Sequence, residues 1–227
     1  MALSNLRSER SLSIKSNLIS YFSSTFIGAL IFLQLIVSTP TKAQGDTSLN
    51  DSTQYKITSW ATDDGLPNVL VSLYQDQDEY LWIGSYDGLF RFDGTRFTEY
   101  NRFNTSLNSH HITALTGDRN KNLWIGTGNG LVVYNNGMFT NLAGEYEFFI
   151  ECLWFDENNK TLLIGTREGL FEYSIENNQY KKIERFSNDL INSIIQDSSG
   201  GTWVGSEKKG LVYVKNETWK YYGRQDG

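Results

Sequence analysis

Short apolar runs alternate with clusters of Gly, Asn and Asp along residues 55–226. One representative unit begins at Ile112, ends near Leu142 and contains four such runs. The turn clusters between them are 119–122, 128–130 and 135–137. Runs of about four to seven residues bounded by turn residues predict short strands with tight antiparallel connections. No helical period of useful length appears in this region, so the pattern predicts an all-β protein.

A five-residue phrase recurs four times and marks one strand of each unit. The copies are Leu81–Ser85, Leu123–Thr127, Leu162–Thr166 and Thr202–Ser206. Their glycines, Gly84, Gly126, Gly165 and Gly205, lie 42, 39 and 40 residues apart, and a second Gly-Leu pair follows each phrase. This period, with four short strands and a Trp-Gly signature, predicts the blades of a β-propeller. We expect an all-β fold with four four-stranded antiparallel blades, as part of a larger, seven-bladed propeller.

The repeats divide the chain into four units that follow a surplus strand. We assign the units to residues 66–107, 108–147, 148–187 and 188–227, and an outer strand to residues 55–60. Segments that resemble a fourth strand occur five times, so the first has no blade to complete. We therefore expect an N-terminal fragment of a longer protein. Expressed alone, it should associate, because open blades expose apolar edges.

The first strand of each unit carries a repeated small residue. These residues are Ser72, Ala114, Cys152 and Ser193. Bulky side chains would collide at the crowded axis of a propeller, so we expect the small positions to line that axis. Cys152 is the only cysteine, and its place in this set indicates a structural role.

Aromatic residues recur at two positions of the repeat. Trp82, Trp124 and Trp203 occupy the phrase, where unit three has Leu163 instead. Further aromatic residues, such as Tyr100 and Phe139, fall on the predicted outer strands. We expect both groups to pack blade against blade, because buried aromatic rings contribute a large apolar area.

The first unit contains a motif that is specific enough to suggest a family. It reads Asp64-Gly65-Leu66-Pro67-Asn68, then Asp76, then Leu81-Trp82-Ile83-Gly84-Ser85-Tyr86-Asp87-Gly88-Leu89, then Phe92-Asp93-Gly94 and Phe97. This string resembles the two-component regulator propeller repeat. The other units follow it, with departures at Leu163 and at the extra residue in Lys208-Lys209. The resemblance covers residues 55–226, nearly all of the chain after the leader.

The resemblance implies the extracytoplasmic sensor of a large membrane receptor. In that family a transmembrane helix and a histidine kinase, often a hybrid kinase, or a diguanylate cyclase usually follow the propeller, and several members sense oligosaccharides. The implied partners are therefore an oligosaccharide ligand, the remaining blades and downstream signalling domains of the same receptor, and a second receptor in a dimer. The implied output is a phosphorelay or a cyclase reaction in another domain, so we expect no enzyme activity in this chain.

Residues 1–43 have the pattern of a secretory signal peptide. A basic leader that includes Arg7 and Arg10 precedes an uncharged, mostly apolar run of 16 residues at 22–37. Thr41-Lys42-Ala43 then offers a small–x–small cleavage site, and residues 44–54 form a polar linker. The alternative is an uncleaved membrane anchor, but a membrane span needs about 20 residues and this run has 16. We expect a periplasmic or extracellular location and a parent receptor in the inner membrane.

We expect cleavage after Ala43, because the small–x–small site follows directly on the apolar run. Intact-mass measurement of the exported protein checks this. A mass that still includes residues 1–43 would identify the segment as an anchor.

Charge and side-chain inventory exclude several functions. The formal net charge is −6, which argues against a nucleic-acid partner, whose phosphates need a basic surface. Two histidines and one cysteine leave few candidates for a nucleophile with a base, and we expect no catalytic residue and no cofactor. Turns such as Asp76-Gln77-Asp78 resemble the start of a calcium loop but lack the further carboxylates that one needs. We interpret them as tight turns in which Asp bonds the local backbone, and expect no metal.

Candidate ligand residues lie on the loops at one mouth of the predicted propeller. The set comprises Tyr86, Asp87, Asn129, Arg167, Glu168, Lys208 and His110. The residues of these loops differ between units, whereas the flanking glycines recur in each unit. This pattern is expected where variable loops on a repeated scaffold determine which ligand binds. His111 should instead join the apolar packing. The alternatives are an exported protein–protein interaction scaffold and a propeller lyase or lactonase.

Overall fold

The computed structural model describes residues 33–38, 55–142 and 147–223, with side chains from residue 57 onward. Two strands precede the repeats, β1 (Leu33–Ser38) and β2 (Tyr55–Trp60). Blade one contains β3 (Leu70–Gln75), β4 (Leu81–Ser85), β5 (Leu89–Phe92) and β6 (Phe97–Tyr100). Blade two contains β7 (Ile112–Gly117), β8 (Leu123–Thr127), β9 (Gly130–Asn135) and β10 (Met138–Asn141). Blade three contains β11 (Ile150–Asp156), β12 (Thr161–Thr166), β13 (Leu170–Ser174) and β14 (Gln179–Ile183). Blade four contains β15 (Ile191–Gln196), β16 (Thr202–Ser206), β17 (Gly210–Lys215) and β18 (Thr218–Tyr222).

Each blade is a four-stranded antiparallel meander in chain order. The first strands β3, β7, β11 and β15 pack side by side in series, and β7, β11 and β15 each also contact the second strand of the blade before. Within the described residues no comparable packing joins β15 back to β3, so the four blades form an open arc. The predicted all-β propeller blades are therefore confirmed. Apart from strands, the described residues include short 3-10 turns at Thr62–Asp64 and Glu184–Phe186, and none of their helices is long and apolar enough to span a membrane.

The glycine of each phrase allows close packing between successive blades. A Cβ on Gly84 would lie 2.8 Å from Ile112 Cγ2 of blade two, and one on Gly126 would lie 2.6 Å from Ile150 Cγ2 of blade three. A Cβ on Gly165 would lie 2.8 Å from the carbonyl oxygen of Ile191 in blade four. These distances are shorter than van der Waals contact, so any side chain would push neighbouring blades apart.

The small residues of the first strands lie against these glycines. The Ser72 hydroxyl, the Ala114 methyl and the Cys152 thiol each lie against the phrase glycine of their own blade. The Cys152 thiol also donates to the Ile191 carbonyl at 3.7 Å, and burial raises its pKa. The structural role predicted for Cys152 is confirmed, and the expected lining of the axis by the small side chains stays a prediction.

Blade four presents a face that the described residues leave uncovered. Leu211 is 41% exposed there, whereas its equivalents Leu89, Leu131 and Leu170 are at most 4% exposed between blades. The three heavy atoms nearest to a Cβ built on Gly205 belong to Ser193 and Asn192 of the same blade, whereas an isoleucine of the next blade is among the three nearest at each of the other phrase glycines. The exposed face of blade four thus carries an apolar residue at a position that is buried between blades elsewhere in the protein.

The opposite end of the arc is covered by β2. Trp60 packs on Phe92 and Phe97 of blade one, with ring centroids 4.9 and 6.2 Å apart. β1 pairs antiparallel with β2, from Leu33 opposite Trp60 to Ser38 opposite Tyr55. Most of the predicted signal peptide and all of the predicted linker lie outside the described residues.

A repeated aspartate closes the turn between the first and second strands. Asp76, Asp118 and Asp197 each accept backbone N–H bonds within the turn and the indole N–H of the phrase tryptophan, at 2.7, 3.1 and 3.2 Å. The hydrogen bonds from Ser199 and Gly201 lower the pKa of Asp197 to about 2. The interpretation of these segments as turns is confirmed. The indole–carboxylate bond adds a link between tryptophan and aspartate that the sequence pattern did not suggest.

Candidate ligand-binding rim

The loops between second and third strands lie at one end of the arc, because every blade has the same meander. The connections into each first strand reach the same end. We call this end the rim, and it consists of the four loops 86–87, 128–129, 167–168 and 207–209 together with residues 68–69, 110–111, 148–149 and 188–190. The Asp–Trp turns are at the opposite end, so they stabilise the blades without contributing to the rim.

A buried hydroxyl fixes the rim loop in each of the first three blades. Ser85, Thr127 and Thr166 end the second strand, and their hydroxyls donate to the carbonyls of Gly88, Gly130 and Gly169 at 2.8–2.9 Å. The same oxygens accept the N–H of Asp87, Asn129 and Glu168 at 3.0–3.1 Å. The loop backbone is thus held from beneath. Sequence reasoning identified the glycines and missed these hydroxyls, although they recur in the phrase.

Tyr86 of blade one lies beside a histidine of blade two. Its ring centroid is 5.4 Å from that of His111, and His111 is 4.6 Å from His110. The His111 carbonyl accepts the N–H of Gly128 at 2.9 Å, which fixes the backbone of the pair. His111 is exposed, so the prediction that it joins the apolar packing is wrong: its side chain occupies the rim next to Tyr86. His110 is also exposed at the rim.

Arg167 of blade three is held by two residues of its own blade. Its Nε donates to Glu151 Oε1 at 2.8 Å, and its guanidinium lies 4.6 Å from the ring centroid of Phe149. The hydrogen bond and charge of Glu151 raise the pKa of Arg167, with smaller electrostatic contributions from Glu168 and Tyr86.

Glu151 reaches the rim because the first strand carries a β-bulge. The register of each first strand shifts around one residue, namely Val71, Thr113, Glu151 and Asn192 in the four blades. A bulge re-aims a side chain and is frequent next to binding sites. The four bulge residues differ in chemistry, and the buried hydroxyl of Thr113 has no hydrogen-bond partner among the described residues. These positions are candidates that the sequence reasoning missed.

The remaining predicted residues are less closely grouped. Asn129 is exposed, and its carbonyl accepts the Asn108 amide at 2.8 Å. Asp87 and Glu168 are exposed at the rim. Lys208 is turned toward its own blade, because its amine donates to the Asn188 carbonyl and its N–H donates to Asp189 Oδ1. The buried Asp189 also accepts the Ser206 hydroxyl, so the longer loop of blade four has a different support.

Two segments of the chain match the family model described as two component regulator propeller. They are residues 64–87 and 106–129, which contain the phrase and rim loop of blades one and two. These two segments are therefore similar to two component regulator propeller repeats. No curated protein matches the sequence.

Solved structures with the same fold include two from B. thetaiotaomicron. The extracellular domain of the system BT4673 is 23% identical, with a TM-score of 0.66 over 76% of this chain and 24% of that one. The extracellular domain described as that of a hybrid two component system, BT3049, is 19% identical, with a TM-score of 0.64 over 78% and 25%. This chain therefore spans about a quarter of those domains. Virginiamycin B lyase from Staphylococcus aureus is 11% identical, with a TM-score of 0.60 over 85% and 74%. These likenesses establish the propeller fold.

Proposed function

We propose that the chain is the ligand-sensing propeller of a two-component-type receptor. One observation carries the proposal: buried hydroxyls hold equivalent loops in a common backbone form, while the exposed residues on those loops differ from blade to blade. Such an arrangement keeps geometry constant and lets side chains set specificity. The match to the regulator propeller repeats connects this rim with signalling receptors.

The propeller acts outside the cytoplasm and transmits a signal to an output domain beyond this chain. The predicted signal peptide supports export. The similar B. thetaiotaomicron structures are described as extracellular domains, and one of them as that of a hybrid two component system, which agrees with this topology. A histidine kinase or diguanylate cyclase in the parent receptor would perform the chemistry, and this chain would have none.

The ligand is an oligosaccharide or a polar molecule of similar character. Tyr86 and His111 supply aromatic rings, while Asn129 and Arg167 supply hydrogen-bond donors. A sugar presents apolar ring faces and hydroxyls together, so it can use both kinds of contact.

We expect binding to depend on Tyr86, Asn129 and Arg167 together, because they belong to equivalent loops of three successive blades. Each alanine substitution should weaken the binding free energy by about 1 kcal/mol, which is the usual net contribution of one hydrogen bond. Calorimetry of the chain and of the three variants against oligosaccharide pools measures this. A glycan that binds all three variants as tightly as the unmodified chain would place the site elsewhere.

A protein–protein scaffold is the second candidate. A scaffold would bind a protein partner, and binding through a surface other than the rim would be insensitive to the rim substitutions. A lyase or lactonase is less favoured, because the small residues of the first strands lie against glycines rather than offering ligands or bases at the mouth. Measuring metal content and turnover in the purified chain tests that alternative.

A further inference from the structure

The charge of Arg167 is already matched within its own blade. Glu151 holds the guanidinium through a 2.8 Å hydrogen bond from Nε, and Phe149 packs beneath it. The Arg167 side chain is 60% exposed, whereas that of Glu151 is 24% exposed. The guanidinium therefore faces solvent as the outer member of an ion pair.

The two lysines on the rim loop of blade four also have partners within their own blade. The Lys208 amine donates to the Asn188 carbonyl, and the Lys209 amine lies 3.6 Å from the buried Asp189 carboxylate. Asp87, Glu168 and Glu207 add exposed carboxylates to the rim loops. Carboxylates thus outnumber the arginine and lysine groups of the described rim, and Arg167, Lys208 and Lys209 each already have an acceptor.

We infer that the rim selects an uncharged, hydroxyl-rich ligand and discriminates against its acidic counterpart. This inference rests on the proposed function and specifies the ligand class of the same site. An anion would find the charge of Arg167 already neutralised by Glu151 and would be repelled by Glu151, Glu168 and Asp87. A neutral hydroxyl can accept a hydrogen bond from a paired guanidinium without displacing its partner.

Glu151 is accordingly a specificity-determining residue. It occupies the bulge of β11, so its carboxylate is placed by the strand rather than by a mobile loop. Glu151→Gln keeps the shape of the side chain and removes its charge, which would leave the guanidinium without a counterion. The change should convert the rim from one that excludes carboxylates to one that attracts them.

The test compares a neutral oligosaccharide pool with the same pool after oxidation of its C6 hydroxyls to carboxylates. Affinities are measured by calorimetry at low ionic strength, because salt screens exposed charges. The unmodified chain should bind the neutral pool and bind the oxidised pool less well. The E151Q variant should bind the oxidised pool about fivefold more tightly than the unmodified chain does, as expected for one exposed charge pair.

Glu168→Gln is the matched control. It removes one carboxylate from the same rim and leaves the Glu151–Arg167 pair intact, so its gain for the oxidised pool should be much smaller. Melting temperatures of both variants check that the blades are intact.

The outcomes separate this inference from the proposed function. If the unmodified chain binds the oxidised pool as tightly as the neutral one, or if E168Q gains as much as E151Q, the inference is wrong while ligand sensing stands. If the unmodified chain binds neither pool but E151Q binds the oxidised one, the masking of Arg167 by Glu151 stands and the oligosaccharide function fails. If no protein binds either pool, both fail.

Discussion

Gly165→Ala should destabilise the chain by about 3 kcal/mol, at the upper end of the usual cost of overpacking. The new methyl group would lie 2.4 Å from the Cys152 sulfur and 2.8 Å from the Ile191 carbonyl oxygen. The sulfur is the end of a side chain in the same blade and can rotate, but the carbonyl belongs to the backbone of the next blade and cannot yield without moving a strand. Loss of packing between blades three and four follows, and chemical denaturation measures it.

Gly205→Ala is the matched control, because Gly205 has the same place in blade four. The described atoms nearest to its new methyl group are the Ser193 hydroxyl and the Asn192 amide oxygen, which are ends of side chains, and none of the three nearest is a backbone atom. We expect a loss below about 1 kcal/mol, since side chains can adjust. Equal losses for the two variants would show that the blade-to-blade contact does not set the requirement for glycine.

The blades could be predicted from the sequence because the residues that define each strand and turn are close together along the chain. Alternating apolar residues and turn clusters define each strand, and the phrase containing Gly84 and its equivalents gives the period. The rim could also be placed, since a meander puts all connections of one kind at one end. The positions of the blades and of the rim follow from the order of the strands alone, so both could be predicted without knowing any contact between distant residues.

The bulges were not predicted, although a signal was present. The apolar positions Leu70 and Leu73 are three residues apart, where a regular strand would separate residues on the same face by two. The structure resolves this with a shift between Leu70 and Ser72. The same shift in β11 places the Glu151 carboxylate beside Arg167. This ion pair therefore depends on a bulge, which a regular alternation of apolar and polar residues does not predict.

The exposure of the His111 side chain could not be predicted by aligning the four units. Its equivalents Val69 and Leu190 are apolar, which suggested burial. Val69 is itself 50% exposed, so the position belongs to the rim in more than one blade. Whether such a residue is covered depends on the loop of the preceding blade, here Tyr86, and that contact is set by tertiary packing.

Trp124→Ala should cost about 4 kcal/mol, within the usual range for removing a buried tryptophan. Trp124 is buried between blades two and three, where its ring lies 6.3 Å from Phe155 and 6.1 Å from Tyr173. Its indole N–H also donates to the buried Asp118 carboxylate. Alanine would leave a cavity and remove one of the donors to that carboxylate.

Trp124→Leu should cost only about 2 kcal/mol, because leucine restores part of the apolar volume. The carboxylate would keep the Asn122 amide as a donor to the same oxygen, at 2.7 Å. Blade three already has this arrangement: Leu163 takes the place of tryptophan, and the amides of Asn159 and Gln196 donate to Asp156. Melting temperatures of the two variants provide the comparison. Equal losses would mean that the indole hydrogen bond, rather than the filled volume, stabilises the blade.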